Sequence, residues 1–336
     1  MANLFLRSPR SFEAIGLVGW NSARLTITIN SVDVYNLVKN RISGAVYFEV
    51  SELIKDYLNI TYDNPIDTSK QSLKVTITTT IFEGLDASGS TQSTSSNDFF
   101  CIDAYGYFEE GANPTTTRGY MQSNDVIYYL SQETLSIPVD RNNTTNIAFF
   151  ENGIQNDTQT VTTSTTEAFE YITLQTGDAD ELRITTTDGI KIIKIIKIDE
   201  CRFKPHKITF VNRWGGLQDL YFFKKSTENL GTTRETFKSS GVNSSGVYDV
   251  RGHQQKSFNV ESKKKISLNS GFVSEDYNAP MQELLQSEKV WMEVDNVVTP
   301  MIVTDSSLKF KTSVNDKLIE YKLELDYAFD AINNIR

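Results

Sequence analysis

Two cysteines and two histidines in 336 residues leave little material for a metal centre or a histidine-dependent active site. Cys101 and Cys201 lie far apart and each stands alone, so neither belongs to a zinc-spacing motif. One possible disulfide in so long a chain does not fix a redox compartment. Basic charge is also short, with 33 Lys and Arg against 43 Asp and Glu, a net charge of −10 and a pI near 4.9. That balance argues against a nucleic-acid binder, which needs a basic footprint to displace counterions from phosphate. The local clusters at Lys191, Lys194 and Lys197, and at Lys263, Lys264 and Lys265, read as a solvated strand face and a charged turn. No apolar run approaches the roughly 20 residues of a membrane-spanning helix. The N-terminus carries Arg7 and Arg10 after its first apolar residues and has no long apolar core, which is not the pattern of a signal peptide. The expectation is a soluble protein made in a cytoplasm, with no membrane insertion.

Catalytic signatures are missing as well. There is no G-x-S-x-G elbow, H-E-x-x-H helix, G-x-x-x-x-G-K-[ST] phosphate loop or G-x-G-x-x-G turn. His206, after Pro205 at the entry to a strand, reads as a structural histidine, and neither it nor His253 sits beside a recognisable nucleophile. The carboxylates Glu109-Glu110 and Asp178-Asp180-Glu181 fall in polar loops and read as solvated. Asp140-Arg141-Asn142-Asn143 offers oxygens to a calcium ion but lacks the ordered spacing of a calcium loop. The reading is a protein that is not an enzyme, with no catalytic residue, cofactor or metal site.

What the chain does contain is Thr, Ser, Asn, Tyr and Phe in quantity, residues suited to pleated sheets and the turns between them. The densest stretch is FKPHKITFVNRWGGLQDLYFFKKS, from Phe203 to Ser226. Lys207 to Val211 alternates like a half-buried strand, and the Gly215-Gly216 pair marks a turn that tolerates positive φ. Leu217 to Lys225 follows as an aromatic strand, with Leu220 and Phe222 on one face and Tyr221 and Phe223 on the other. A strand apolar on both faces must be covered on both, by another sheet or by a neighbouring subunit. Trp214, Leu217, Leu220, Tyr221, Phe222 and Phe223 are therefore candidate subunit-interface residues.

On either side the pattern is mainly β. Leu25, Ile27 and Ile29 alternate with polar neighbours, as do Leu73, Val75, Ile77 and Ile81. Tyr35 to Val38 and Ala45 to Val50 are further strand candidates, and Ser51 is placed to cap a short helix over 52–58. From 85 to about 175 the chain turns Ser/Thr-rich, and GLDASGSTQSTSSND and NDTQTVTTSTTE read as loops or flexible rims. Between these tracts lie aromatic islands: Phe99 and Phe100, Tyr105 to Phe108 including Tyr107, and Tyr128 and Tyr129 within Val126 to Leu130. They suit either packed strands or a glycan-binding surface. IKIIKIIKI, from Ile190 to Ile198, repeats every three residues and as one strand needs a bulge to restore register. Leu230 to Gly252 reads as a polar connection, and Lys256 to Leu268 resumes strand character. Met281 to Ser287 reads as a short helix, Val290 to Val294 as a strand, and Leu308 to Phe329 as a hairpin turning at Asn315-Asp316. The fold expected is two β-sandwich-like domains, 1–200 with a loop-rich elaboration at about 85–175, and 201–336. Each has a short flanking helix, and their shared order of elements allows a duplication.

Four segments carry a resemblance: LRSPR near the start, VYFEVSELIKDYL, ITFVNRWGGLQDLYFFKKS, and the closing NDKLIEYKLELDYAFDAI. Together they resemble virion structural proteins of tailed bacteriophages, of a kind seen in phages of Bacteroidota. The resemblance covers both ends and the middle, leaves out the Ser/Thr-rich part, and includes no catalytic residue. It implies a tail, baseplate or neck component that assembles as a homo-oligomeric ring beside other virion proteins. Three roles stay open: a distal-tail or hub-like adaptor ring, a neck or portal-proximal connector, and a glycan-binding receptor-recognition module.

Overall fold

The computed structural model describes residues 2–130, 135–174, 179–242, 244–248, 250–305 and 319–332. The first unit contains β1 (Ala2–Phe5), β2 (Ser11–Ala14), β3 (Ser22–Ile29), β4 (Val32–Asn40), β5 (Val46–Glu49), α1 (Ser51–Lys55), β6 (Leu73–Phe82) and β7 (Thr91–Ile102). Alternation sets the faces: Leu25, Ile27 and Ile29 of β3 are buried while Thr26 and Thr28 are half-buried. Five strands form one sheet in the order β1-β7-β6-β3-β4, with β1 parallel to β7. The β2–β5 pair and α1 lie across it, so that Phe48, Val50 and Ile54 share a core with Leu25, Ile27, Val75 and Ile77. Helix α1 is shorter than expected, and Ser51 does not cap it. Its hydroxyl instead donates to Ser8 O at 2.7 Å, tying the helix start to the N-terminal segment.

The first Ser/Thr tract is not a loop beyond its opening turn at 84–88. From Thr91 it runs as β7 along β6, and Thr76 Oγ1 donates to Asp98 at 2.7 Å across the pair. Such residues cannot build a core, but β6 satisfies one side of their backbone and solvent takes the other side and most of their side chains.

The middle unit contains β8 (Val126–Leu130), β9 (Leu135–Asp140), β10 (Thr144–Glu151), β11 (Ile154–Thr160), β12 (Phe169–Leu174), β13 (Glu181–Thr186) and β14 (Gly189–Ile198). It forms a five-stranded sheet, β11-β10-β13-β14-β8, and a separate β9–β12 pair. The second Ser/Thr tract supplies part of the edge strand β11 before becoming loop. No bulge interrupts β14. Its first half pairs antiparallel with β13 and its second half parallel with β8, both in continuous register. The three-residue repeat is absorbed by exposure instead: Ile193 and Ile195 enter the core, while Ile190 and Ile192 stay in solvent.

The last unit contains β15 (His206–Val211), β16 (Leu217–Phe222), β17 (Thr227–Lys238), β18 (Gln255–Val273), α2 (Asn278–Leu285), β19 (Val290–Val294), β20 (Val297–Val303) and β21 (Ile319–Tyr327). Its seven-stranded sheet, β16-β15-β19-β20-β21-β18-β17, is antiparallel throughout. Lys224 N donates to Asn269 O at 3.1 Å, so the chain leaving β16 returns against β18 and the sheet rolls toward a barrel. In β21, Ile319, Tyr321, Leu323 and Leu325 face inward as their alternation predicts. The expected partner arm, Leu308 to Val314, and the Asn315-Asp316 turn lie outside the described residues. Leu230 to Gly252 is not a plain connection, because most of β17 and the turn of a long hairpin with β18 fall within it.

The fold is mainly β, with several sheets and few short helices. The 1–200 and 201–336 division falls between β14 and β15, yet the largest core crosses it, joining Ile137, Ile193 and Ile195 to Ile208, Phe222 and Leu325. The shared outline of the two ends stops at element order, since one sheet has a parallel pair and the other none. Among the described residues, no helix is long and apolar enough to cross a membrane.

Candidate functional site

The turn between β15 and β16 meets segments from all three units. Asn212 makes it: Nδ2 donates to Met121 O at 2.7 Å and Gln218 Oε1 at 3.0 Å, while Oδ1 accepts from Trp214 N at 3.0 Å and Gly216 N at 3.2 Å. The two glycines are required for different reasons. Gly215 has φ +80°, and a Cβ there would lie 3.1 Å from Asp103 N, whereas a Cβ on Gly216 would meet Pro138 Cβ at 2.8 Å. Gly215→Ala is expected to lower stability by about 1–3 kcal/mol in urea denaturation. Gly153→Ala, at φ +79° with open space around it, should cost less. The difference isolates the close approach.

Trp214, at the tip of this turn, joins three units. Its ring meets Phe5 edge-on at 6.3 Å and shares a core with Phe100, Ile102, Met121 and Phe169. Arg118 and Arg213 lie over it at 4.9 and 4.6 Å, and Nε1 donates to Ser123 Oγ at 3.3 Å. Beneath, buried Glu283 of α2 accepts from Ser123 Oγ and, at 3.3 Å, from Arg213 N. Burial pushes the Glu283 carboxyl above its ordinary range despite those donors. Arg213 also pairs with Glu110 and covers the Tyr107 ring at 4.3 Å.

A second polar cluster lies on the far side of β15. Lys207 Nζ meets Glu293 Oε2 at 2.6 Å, with both side chains more than nine-tenths buried. Tyr62 OH and Asn64 Nδ2 donate to the same carboxylate at 2.7 and 2.6 Å. Burial alone would push the Lys207 ammonium down, but Asp219, Tyr62 and Glu293 outweigh it and hold the group above its ordinary range. Asp219, which accepts from Thr209 Oγ1 at 2.6 Å, is pushed up by burial. Beside the cluster opens a cavity of about 180 Å³ lined by Tyr62, Arg141, Glu170, Tyr171 and Lys207 among others. Its cations are already committed, Lys207 to Glu293 and Arg141 to Glu167 and Glu170 at 3.1 and 3.5 Å. An incoming anion would have to break these pairs.

His206 Nε2 lies 3.0 Å from Ser226 Oγ, a pairing the sequence did not suggest. Its Nδ1 is buried without a hydrogen-bond partner among the described residues, so no carboxylate orients the ring. Burial, followed by Lys204, pushes its pKa down. Asp140 accepts from Asn3 Nδ2, Asn142 N and Asn143 Nδ2, a set of donors that fixes a turn. Among the described residues, no group of three His, Cys, Asp or Glu is placed to hold a metal.

The six candidate interface residues all lie inside the chain. Trp214, Leu217, Leu220, Tyr221, Phe222 and Phe223 are each at most 7 % exposed, and they have no free face for a second subunit. The chain's own β8, β9 and rolled sheet cover the aromatic strand. Of the candidate glycan-binding rings, Phe99, Phe100, Tyr128 and Tyr129 are buried as core. Tyr105 and Tyr107 are half-buried and stacked edge-on at 5.9 Å, and Arg7 lies over Tyr105 at 4.8 Å.

The surface feature that the sequence reading missed is the hairpin of β17 and β18. Every residue of β17 is exposed, as are Gln255 to Asn259 of β18. Beyond Lys265, where β18 leaves β21, the two strands pair with each other as a ribbon ending near Lys238 and Gln255, with Ala331 N donating to Ser262 O at 2.7 Å near its base. At about 3.4 Å per residue the ribbon is roughly 30 Å long. The signal was faint because the strands are polar and the turn between them is long, without the two-residue Asn-Gly type of cue. A scan against models of known protein families finds no match to this chain, and no curated protein matches it.

Proposed function

We propose that this chain is a structural component of a tailed-phage virion, a ring-forming tail or baseplate adaptor of the distal-tail or hub kind. The observation that carries the reading is the β17–β18 ribbon, with β17 the last strand of its sheet and exposed at every residue. A two-stranded hairpin alone in water is marginally stable at best, and an open strand edge is a template for pairing. A chain that keeps one roughly 30 Å long has a use for it in assembly. The resemblance at both ends and in the centre supplies the virion context. Burial of four of the six aromatic rings takes away most of the surface a glycan-binding module would need.

The test has two parts. Light scattering of the purified chain across a concentration series, with negative-stain images, should give closed rings. Mass spectrometry of purified phage particles encoding the chain should find it at a fixed, low copy number relative to capsid protein. Absence from the particles would overturn the reading.

A further inference from the structure

A cleft between the first and last units holds a buried charge that the chain itself leaves without a hydrogen bond. Asp103, directly after β7, is 5 % exposed. Its backbone is fixed on both sides, because Leu6 N donates to Ile102 O and Arg7 N to Ala104 O, each at 3.0 Å. Among the described residues, no hydrogen bond reaches its carboxylate. Arg7, the cation that acts on it most strongly, spends Nη2 on Gln286 O at 2.9 Å and Nε on Glu288 Oε1 at 3.5 Å. A carboxylate this deep without a donor is costly, and one held in place by a rigid backbone points to a partner from outside the chain.

Asp103 lines a cleft of about 420 Å³ with Leu58, Asn59 and Lys289 among others. Lys55 and Glu288 stand in the same wall, already paired with each other at 3.1 Å. Lys289 Nζ has spare capacity: among the described residues it makes one long hydrogen bond, to Ile60 O at 3.4 Å, and no ion pair. Burial pushes the Asp103 carboxyl up against the pull of Arg7 and Lys289, and pushes the Lys289 ammonium down against that of Asp103. The cleft therefore offers an acceptor and a donor of opposite charge, both short of partners. A simple anion would meet Asp103 and Glu288 there, and a simple cation would meet Lys55 and Lys289. A ligand carrying both charges avoids either repulsion.

We propose that this cleft binds a small zwitterion of the α-amino-acid class, its ammonium donating to Asp103 and its carboxylate accepting from Lys289. Leu58 supplies an apolar wall for a side chain. The site is independent of the assembly reading, and so is its test.

The common L-amino acids are titrated one at a time into the purified chain by calorimetry, with ethylamine and acetate as probes that carry one charge each. At least one amino acid should bind saturably at one per chain, and ethylamine and acetate should each bind at least tenfold more weakly. Asp103→Asn and Lys289→Met should each lose at least tenfold in affinity for that amino acid. Asp103→Asn should also unfold at no lower urea concentration than the natural chain, because it removes a buried charge that no protein group satisfies. A purely structural Asp103 would give the opposite shift. Should Asp103→Asn fold poorly, half-buried Lys289 decides alone: Lys289→Met that binds like the natural chain overturns the site. Ethylamine that binds as tightly as the amino acid overturns the two-ended recognition. No binding of any amino acid at millimolar concentration overturns the proposal.

Discussion

Lys207→Ala is expected to lower the unfolding free energy by about 3–5 kcal/mol, the usual cost of removing one partner from a buried ion pair. The substitution strands Glu293 beneath Tyr62 and Asn64 with its charge uncompensated, and leaves Asp219 without its cation. The loss also has a pH signature. Burial works against the Glu293 carboxylate, but the hydrogen bonds from Lys207 and Tyr62 outweigh it and hold its pKa below the ordinary 4.5. Its stabilisation is therefore present above pH 4.5 and is lost as pH falls through the lowered value. Lys207 is held above the ordinary 10.5, so its contribution is complete below that pH and is lost as pH rises beyond it. Urea midpoints of the natural chain and the variant should differ most between these limits and converge outside them. A difference independent of pH would mean that packing, not charge, explains the loss.

Trp214→Ala should cost about as much, 3–5 kcal/mol, which is typical of truncating a large buried aromatic ring. The effect should also change how the molecule unfolds. Trp214 is where Phe5 and Ile102 of the first unit, Met121 and Phe169 of the middle, and the β15–β16 turn share a core. Trp20 reports on the first unit's core, and Trp291 lies in β19 of the last. In the natural chain, fluorescence and circular dichroism should trace one transition. In Trp214→Ala the two should separate, as the first unit loosens before the rest. Trp214→Phe keeps most of the packing but loses the bond to Ser123, and should fall between.

The strands with clean alternation were legible in the sequence: β3, β6 and β21 need only one buried face, and period-two patterning states it. The demand that Leu217 to Phe223 be covered on both faces was legible too. The identity of the cover was not, because the cover is supplied by residues distant in sequence, such as Tyr171, whose hydroxyl accepts from Leu217 N at 2.9 Å. A neighbouring subunit and a distant segment of the same chain leave the same mark on a strand. Lys207, read as the polar side of a half-buried strand, is buried because Glu293 waits opposite it across the β15–β19 pair. The ribbon was hidden for the opposite reason. A strand paired on one side and wet on both faces carries no hydrophobic period, so TENLGTTRETFK reads like a connection. The aromatic strand is thus internal, and the proposed contact surface is the polar hairpin that follows it.

Hydrogen exchange at low and high protein concentration tests that relocation most directly. Residues 217–222 should be protected to the same degree at both, because their cover is internal. Residues 227–238 should exchange quickly when dilute and become protected as the chain assembles. Protection that appears in 217–222 on assembly while 227–238 stays unprotected would contradict the account, and would return the aromatic strand to the interface.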